Sequence, residues 1–300
     1  MFNDINFHAS IGQIFDAQNR PVPSDIGRGV YHDGTGELLS ICGPSFKPVQ
    51  HMDIIQPILS GLADMGYEVE ERRSATRNAL YDLQGKKGAW VSPKVTDGGA
   101  VMRTDIVLGD FIRPTGATNY LKDGPDTNFF RISVLNSHNS KYAVRANTSY
   151  LRVVCMNGMT QPHFSANAYG KHTSGFNIDG LQNQIANAMK MMGEDADKFG
   201  LWAKTRVTVQ QAEQFLKLTV AKLADKPNGE AHYSEPLLQK ILGRFHLEDQ
   251  TLWGLYNAVT WWQSHDGFRK NADTLTATIG RETKVAAALR SKAMEEVFAI

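Results

Sequence analysis

The sequence predicts an α+β fold: a twisted antiparallel sheet backed by one helix, followed by a helical C-terminal region. Three observations carry this. Up to about residue 177 the apolar residues fall in short alternating runs separated by Gly, Asn, Asp and Ser clusters, the pattern of strands and turns. One stretch inside that region, 51–65, has helical spacing instead. From about residue 179 the period becomes helical and stays so, and strands followed by helices is the α+β order. The expected organisation is an irregular N-terminal arm over 1–30, a sheet domain over 31–177 and a helical region over 178–300.

Each element has a local reason. Residues 1–30 hold QNRPVPSDIGRG, whose prolines and glycines predict irregular structure. Asp33-Gly34 and Thr35-Gly36 supply turn chemistry before the apolar run 38–42, which reads as a hairpin. The helix over 51–65 takes Asp53 as its expected N-cap, meets an awkward Pro57 and ends at Gly66. YEVEERR, NALYDL, GAWVSPKV and AVMRTDIVLGDFIR predict four strands between 67 and 113. The stretch from 128 predicts a hairpin: an apolar run at 129–135, a polar turn at 136–140, then alternation from Tyr142 to a second apolar run at 151–154. Helices are expected over 179–192, 207–224, 234–243, 249–263 and 281–298, with Thr208 and Gln211 as a capping box and 224–236 as a loop.

Composition limits function. At 300 residues, 42% hydrophobic and 21% charged, the chain has the balance of a soluble globular protein with a sizeable core. Its net charge of +1 gives no global attraction to polyanions, so any such role must rest on a local patch. There is one: residues 70–152 hold thirteen Lys/Arg against eight Asp/Glu. No apolar run approaches the ~20 residues of a membrane span, and MFNDINFHAS lacks the features of a signal peptide. Cys42 and Cys155 lie in apolar strand contexts and read as buried thiols in a reducing compartment, so the expected location is the cytoplasm of a bacterial host.

Catalytic patterns are missing from the sequence. It has no Walker motif, and Asp97-Gly98-Gly99 reads as a hairpin turn, so no nucleotide cofactor is expected. His138, His163, His172 and His265 are scattered without metal-ligand spacing. Asp105 and Asp110 fall on opposite faces of one strand, which argues against a two-metal nuclease. Cys155 follows Val153 and Val154, a core setting that keeps a thiol inert. What remains is basic and aromatic. Lys86, Trp90 and Lys94 share parity, so an unbroken strand presents them on one face, as a stacking ring between two phosphate contacts. Lys87, Arg103, Arg131, Lys141, Arg145 and Arg152 extend the set of candidate nucleic-acid contacts, and Lys47, Arg72, Arg73 and Arg77 could lengthen it. The stripe Leu252, Tyr256, Val259 with Trp253, Trp261 and Trp262 has core spacing.

TGELLSICGPSFKPVQ (35–50), NSHNSKYAVRA (136–146), LRVVCMNGM (151–159) and LWGLYNAVTWW (252–262) resemble, in order, the motifs of a phage- and plasmid-encoded family catalogued as domain of unknown function nine-three-two. The resemblance runs from about residue 30 to 290, with Asn139-Ser140-Lys141 standing where the family has Asp-Gly-Ser. It implies a role beside replication and recombination of mobile elements, and a fold akin to phage single-strand annealing proteins. The expectation is a non-enzymatic, ATP-independent, oligomeric protein that binds and anneals single-stranded DNA. The alternative is a phage-encoded interaction module or inhibitor acting on a host defence protein. A hydrolase or nuclease ranks third.

Overall fold

A computed structural model describes residues 2–72, 82–83, 85–112, 118–119, 124–125, 128–152, 159–161, 167–173, 175–180, 182–183, 187, 192–223, 232–265, 281, 284–285, 287–289 and 291–298. Its architecture is α+β, with strands through the first half and helices through the second. A three-stranded antiparallel sheet is formed by β1 (Ala9–Gly12), β2 (Arg28–His32) and β3 (Leu38–Cys42) in sequential order. The larger sheet has β4 (Glu68–Glu71), β5 (Gly88–Thr96), β6 (Val101–Ile112), β9 (Asn128–Ser137), β10 (Val144–Arg152) and β11 (Met159–Gln161) side by side in that order, with β12 (Asn167–Gly170) also paired to β10. β7 (Thr118–Asn119) and β8 (Gly124–Pro125) form a small ladder of their own. The β4–β5 pair is parallel, which departs from an all-antiparallel sheet, and β5–β6 is an antiparallel hairpin around the Asp97–Gly99 turn.

The chain divides into two compact units: residues 1–110, 130–149 and 165–190, and residues 111–129, 150–164 and 191–300. In the first unit the expected irregular arm contributes a strand. Ala9–Gly12 pairs with Gly29–His32, and Ala9, Val30 and Cys42 form a small core with Phe7, Ile11, Leu39 and Phe46 packed on it. The Pro/Gly-rich segment is the loop between those two strands, so turn composition concealed the pairing on either side. Burial raises the Cys42 thiol pKa against the opposing pull of Arg28, as expected of an inert cysteine. Cys155 lies outside the described residues.

Helix α1 (His51–Asp64) buries Ile54, Ile55, Ile58, Leu59 and Leu62 on one stripe. Asp53 is not the cap. Gln50 holds the N-cap position, and its side chain bonds the Ala9 backbone instead, accepting from the N–H at 2.8 Å and donating to the carbonyl at 3.0 Å. Asp53 sits in the first turn, where its charge favours the helix dipole. The helix runs through Pro57 because one missing backbone bond is outweighed by five buried aliphatic side chains at about 1.5–3 kcal/mol each. Gly66, at φ 85, ends it in the left-handed region. NALYDL is only partly described, and Asp82 and Leu83 are helical rather than extended.

In the second unit α2 (Met192–Lys204), α3 (Val209–Leu218), α4 (Glu235–Phe245), α5 (Leu252–His265) and α6 (Lys292–Phe298) follow in turn. The helix expected over 179–192 is helical at its described residues, Asp179, Gly180, Gln182, Asn183 and Asn187, and α2 follows it. The Thr208–Gln211 capping box is present: Gln211 N–H donates to Thr208 Oγ1 at 3.2 Å and Thr208 N–H to Gln211 Oε1 at 3.0 Å. The aromatic stripe is core. Trp253 and Tyr256 are buried against Phe199 and Trp202, with ring centroids 4.8–6.0 Å apart. No helix among the described residues is long and apolar enough to cross a membrane.

Candidate nucleic-acid interface

Three stretches of the first unit converge where β3, β9 and β12 end: 43–49, 138–145 and 171–173. Hydrogen bonds set their paths. Ser40 Oγ donates to the His138 carbonyl at 2.9 Å, and the His138 N–H donates to the Ala100 carbonyl at 2.6 Å. Asn136 Nδ2 donates to the Val49 carbonyl at 2.8 Å and to His51 Nδ1 at 2.9 Å. His51 Nε2–H donates to the Gly99 carbonyl at 2.9 Å, and His138 Nε2–H to Val49 at 3.1 Å. The two imidazoles stack with centroids 4.0 Å apart at 17°, and the Phe7 ring meets both edge-on. Desolvation drives both pKa values down, His51 to about 4 and His138 to about 3, with the neighbouring imidazole adding to the shift of His138. Both rings are therefore neutral at physiological pH, and His51 must be so to accept at Nδ1 while donating from Nε2–H.

The same three stretches line a cleft of about 490 Å³, formed by Gly43, Ser45, Phe46, Ser140, Lys141, Tyr142, Ala143, Arg145, Lys171, His172 and Thr173. Among the described lining residues three are Lys or Arg and none is Asp or Glu. Phe46 and Tyr142 place aromatic rings among the cations, and Lys47 stands exposed next to the wall. The antiparallel β10–β12 register sets Arg145 opposite Tyr169 and Val144 opposite Gly170, which brings Lys171 to the cleft. At the rim Lys141 Nζ lies 3.6 Å from Asp97 Oδ2, a pair about 40% exposed on both sides. An exposed ion pair holds at most ~1 kcal/mol, so a phosphate oxygen can take the lysine over. Ser140 has φ 58, in the left-handed region, at the position where the resembled family carries glycine.

The structure brings together some of the expected contacts and separates others. Lys141 and Arg145 share the cleft. Arg103 and Arg131 do not face a ligand: they are 8% and 2% exposed and flank Asp105 at 3.4 and 3.8 Å. Burial pushes the Asp105 pKa up, but Arg103, Arg131, the Ser133 hydroxyl and Lys94 outweigh it and hold the carboxyl well below its usual range. These arginines balance an internal carboxylate, so they are not the nucleic-acid contacts expected of them. Trp90 is 4% exposed with the Arg72 guanidinium 4.9 Å over its ring, so no face is open for a base. Parity failed because Lys86 precedes the strand and Ala89–Val91 are buried on both faces. Lys86 and Lys87 line a second cleft, of about 630 Å³, together with Glu68, Glu70 and Asp82, so their charge is balanced there. Lys94 is exposed on β5 opposite Arg103. Arg152 pairs with Met159 through its backbone, and its side chain is outside the described set, as are Arg73 and Arg77. Lys171 and His172 were invisible as a site, because only the β10–β12 pairing carries them to Lys141. Among the described residues no group of three or more His, Cys, Asp or Glu could hold a metal ion.

Fold and cleft define an α+β protein with a cationic, aromatic-lined surface cleft. Residues 113–288, more than half of the chain, match the family model described as Domain of unknown function (DUF932), and the protein belongs to that family. Three of the four sequence motifs fall inside the matched residues, and the 35–50 segment falls outside. No curated protein and no solved structure matches the chain.

Proposed function

We propose that the protein binds single-stranded nucleic acid through the cleft formed by Lys141, Arg145 and Lys171. The observation that carries this reading is a concave site in which three cations and two aromatic rings line one cleft. Cations track a phosphate backbone, and aromatic rings accept unpaired bases without regard to sequence. A site of this size holds a short stretch of one strand, so a long strand is held by many copies, which fits an oligomer that brings complementary strands together. The role proposed is ATP-independent annealing of phage or plasmid DNA in recombination or replication, in a bacterial cytoplasm and without enzymatic turnover.

The test is fluorescence anisotropy of labelled single- and double-stranded oligonucleotides over a range of salt. Three phosphate contacts give a logarithmic salt slope of about −2 per protein for single strands. K141A combined with K171A should reduce the slope to roughly one contact. Salt-independent retention, or none at low salt, refutes the reading.

A second reading has its own support. Phe15, Ile26, Leu38 and Ile41 in and around the three-stranded sheet are 58%, 70%, 46% and 63% exposed, an apolar surface that suits a protein partner such as a host defence factor. A stoichiometric complex with a host protein, with no oligonucleotide retained, favours it.

A further inference from the structure

We infer that His172 is the positioning residue of this cleft, a side chain that joins all three stretches forming its walls; the inference rests on the nucleic-acid reading above. His172 is 7% exposed. Its Nδ1 accepts from the Val49 backbone N–H at 3.4 Å, and its Nε2–H donates to the Tyr142 carbonyl at 3.2 Å. Its own carbonyl accepts from the Lys47 N–H at 3.0 Å. Phe46 stacks on the imidazole, centroids 5.0 Å apart at 27°. Residues 43–50 have neither helix nor strand, so contacts of this kind determine their path. Only the neutral ring with its proton on Nε2 satisfies both side-chain bonds, and burial keeps the ring neutral by lowering its pKa.

The consequence concerns the cations. Lys141 and Arg145 belong to the wall that His172 holds at Tyr142, and Lys171 is its chain neighbour. Held together they act as one preorganised anion site. Released, they become separate solvated charges, each of which must be ordered anew when a ligand arrives. His172 thus acts through its neighbours and need not touch the ligand.

The variants are H172F, which keeps a stacking ring and deletes both side-chain bonds, and H172Q, which retains one of them. The probe is a short labelled thymidine oligonucleotide at low salt. H172F should bind about tenfold more weakly, the worth of one or two hydrogen bonds, with H172Q in between. Adding K141A to H172F should cost less than K141A alone, because the walls are already apart. Strictly additive losses overturn the inference, since a histidine that only supports the fold would not couple to one particular cation. An independent arm needs no ligand: amide exchange at Lys47 and Val49 should accelerate in H172F while β9 stays protected. Unchanged exchange there overturns the inference even if binding falls. Accelerated exchange in a protein that retains no oligonucleotide leaves the wall-joining role standing and removes the nucleic-acid reading alone.

Discussion

Moving from about pH 7.5 to about pH 5.0 should remove about 4 kcal/mol of stability through His51 and His138 alone. Both pKa values fall on folding, from 6.5 to about 4 and to about 3. Between those values and 6.5 the unfolded chain binds protons that the folded chain refuses, so stability is full above pH 6.5 and declines as pH drops. Near pH 5.0 each unfolded imidazole is almost fully protonated and each folded one almost fully neutral, which is worth about 2 kcal/mol per histidine. The structural reason is plain. The rings stack 4.0 Å apart, both Nε2–H groups are spent on backbone carbonyls, and His51 Nδ1 is taken by Asn136. The Nδ1 of His138 is buried with no hydrogen-bond partner among the described residues, so a proton placed there would find no acceptor among them. The assay is hydrogen exchange of the β9 amides at both pH values, with rates corrected for intrinsic pH dependence, in wild type and in H51Q/H138Q. The double variant should lose about 4 kcal/mol less than wild type across this interval, and H138Q alone about 2 kcal/mol less. Equal losses in wild type and variants would refute the argument.

Three further outcomes are expected. S140G should stabilise the protein by about 1 kcal/mol in urea denaturation, because Ser140 at φ 58 occupies backbone space that glycine enters without penalty. G254A should destabilise it by about 3 kcal/mol, since a Cβ there overlaps the Asp249 carbonyl oxygen and backbone must move; a thermal midpoint near wild type would contradict this packing. W90A should cost about 3–5 kcal/mol as a core truncation, while W90F stays folded and binds oligonucleotide as wild type does. A tenfold affinity loss in W90F would return Trp90 to the interface.

The binding reading and the buried arginines answer one question of charge. The stretch 70–152 is locally basic, yet its cations have different fates. Arg103 and Arg131 flank Asp105 inside the sheet, Lys86 and Lys87 share a cleft with three acids, and Lys141 and Arg145 share one whose described lining holds none, with Asp97 at its rim. An exposed cleft lined by several cations is the arrangement that suits a polyanion. A footprint counted along the chain therefore overstates the surface charge that a ligand meets.

Local chemistry was readable from the residues alone. The 38–42 strand, the helix that closes at Gly66, the β9–β10 hairpin, the Thr208–Gln211 box and the buried aromatic stripe of α5 each follow from spacing, caps and turns within a few residues. The family was readable as well, because its motifs are short and contiguous. Side-chain exposure on strands was not. Parity says which positions share a face, but whether that face meets solvent depends on what packs over it, and Trp90 and Arg131 are covered. Nor was the cleft, whose walls come from stretches far apart in the chain and are joined at His172 by a bond to Val49, 123 positions away. Such contacts carry no local periodicity; they exist only once β10 and β12 have paired and brought Lys171 and His172 to Tyr142.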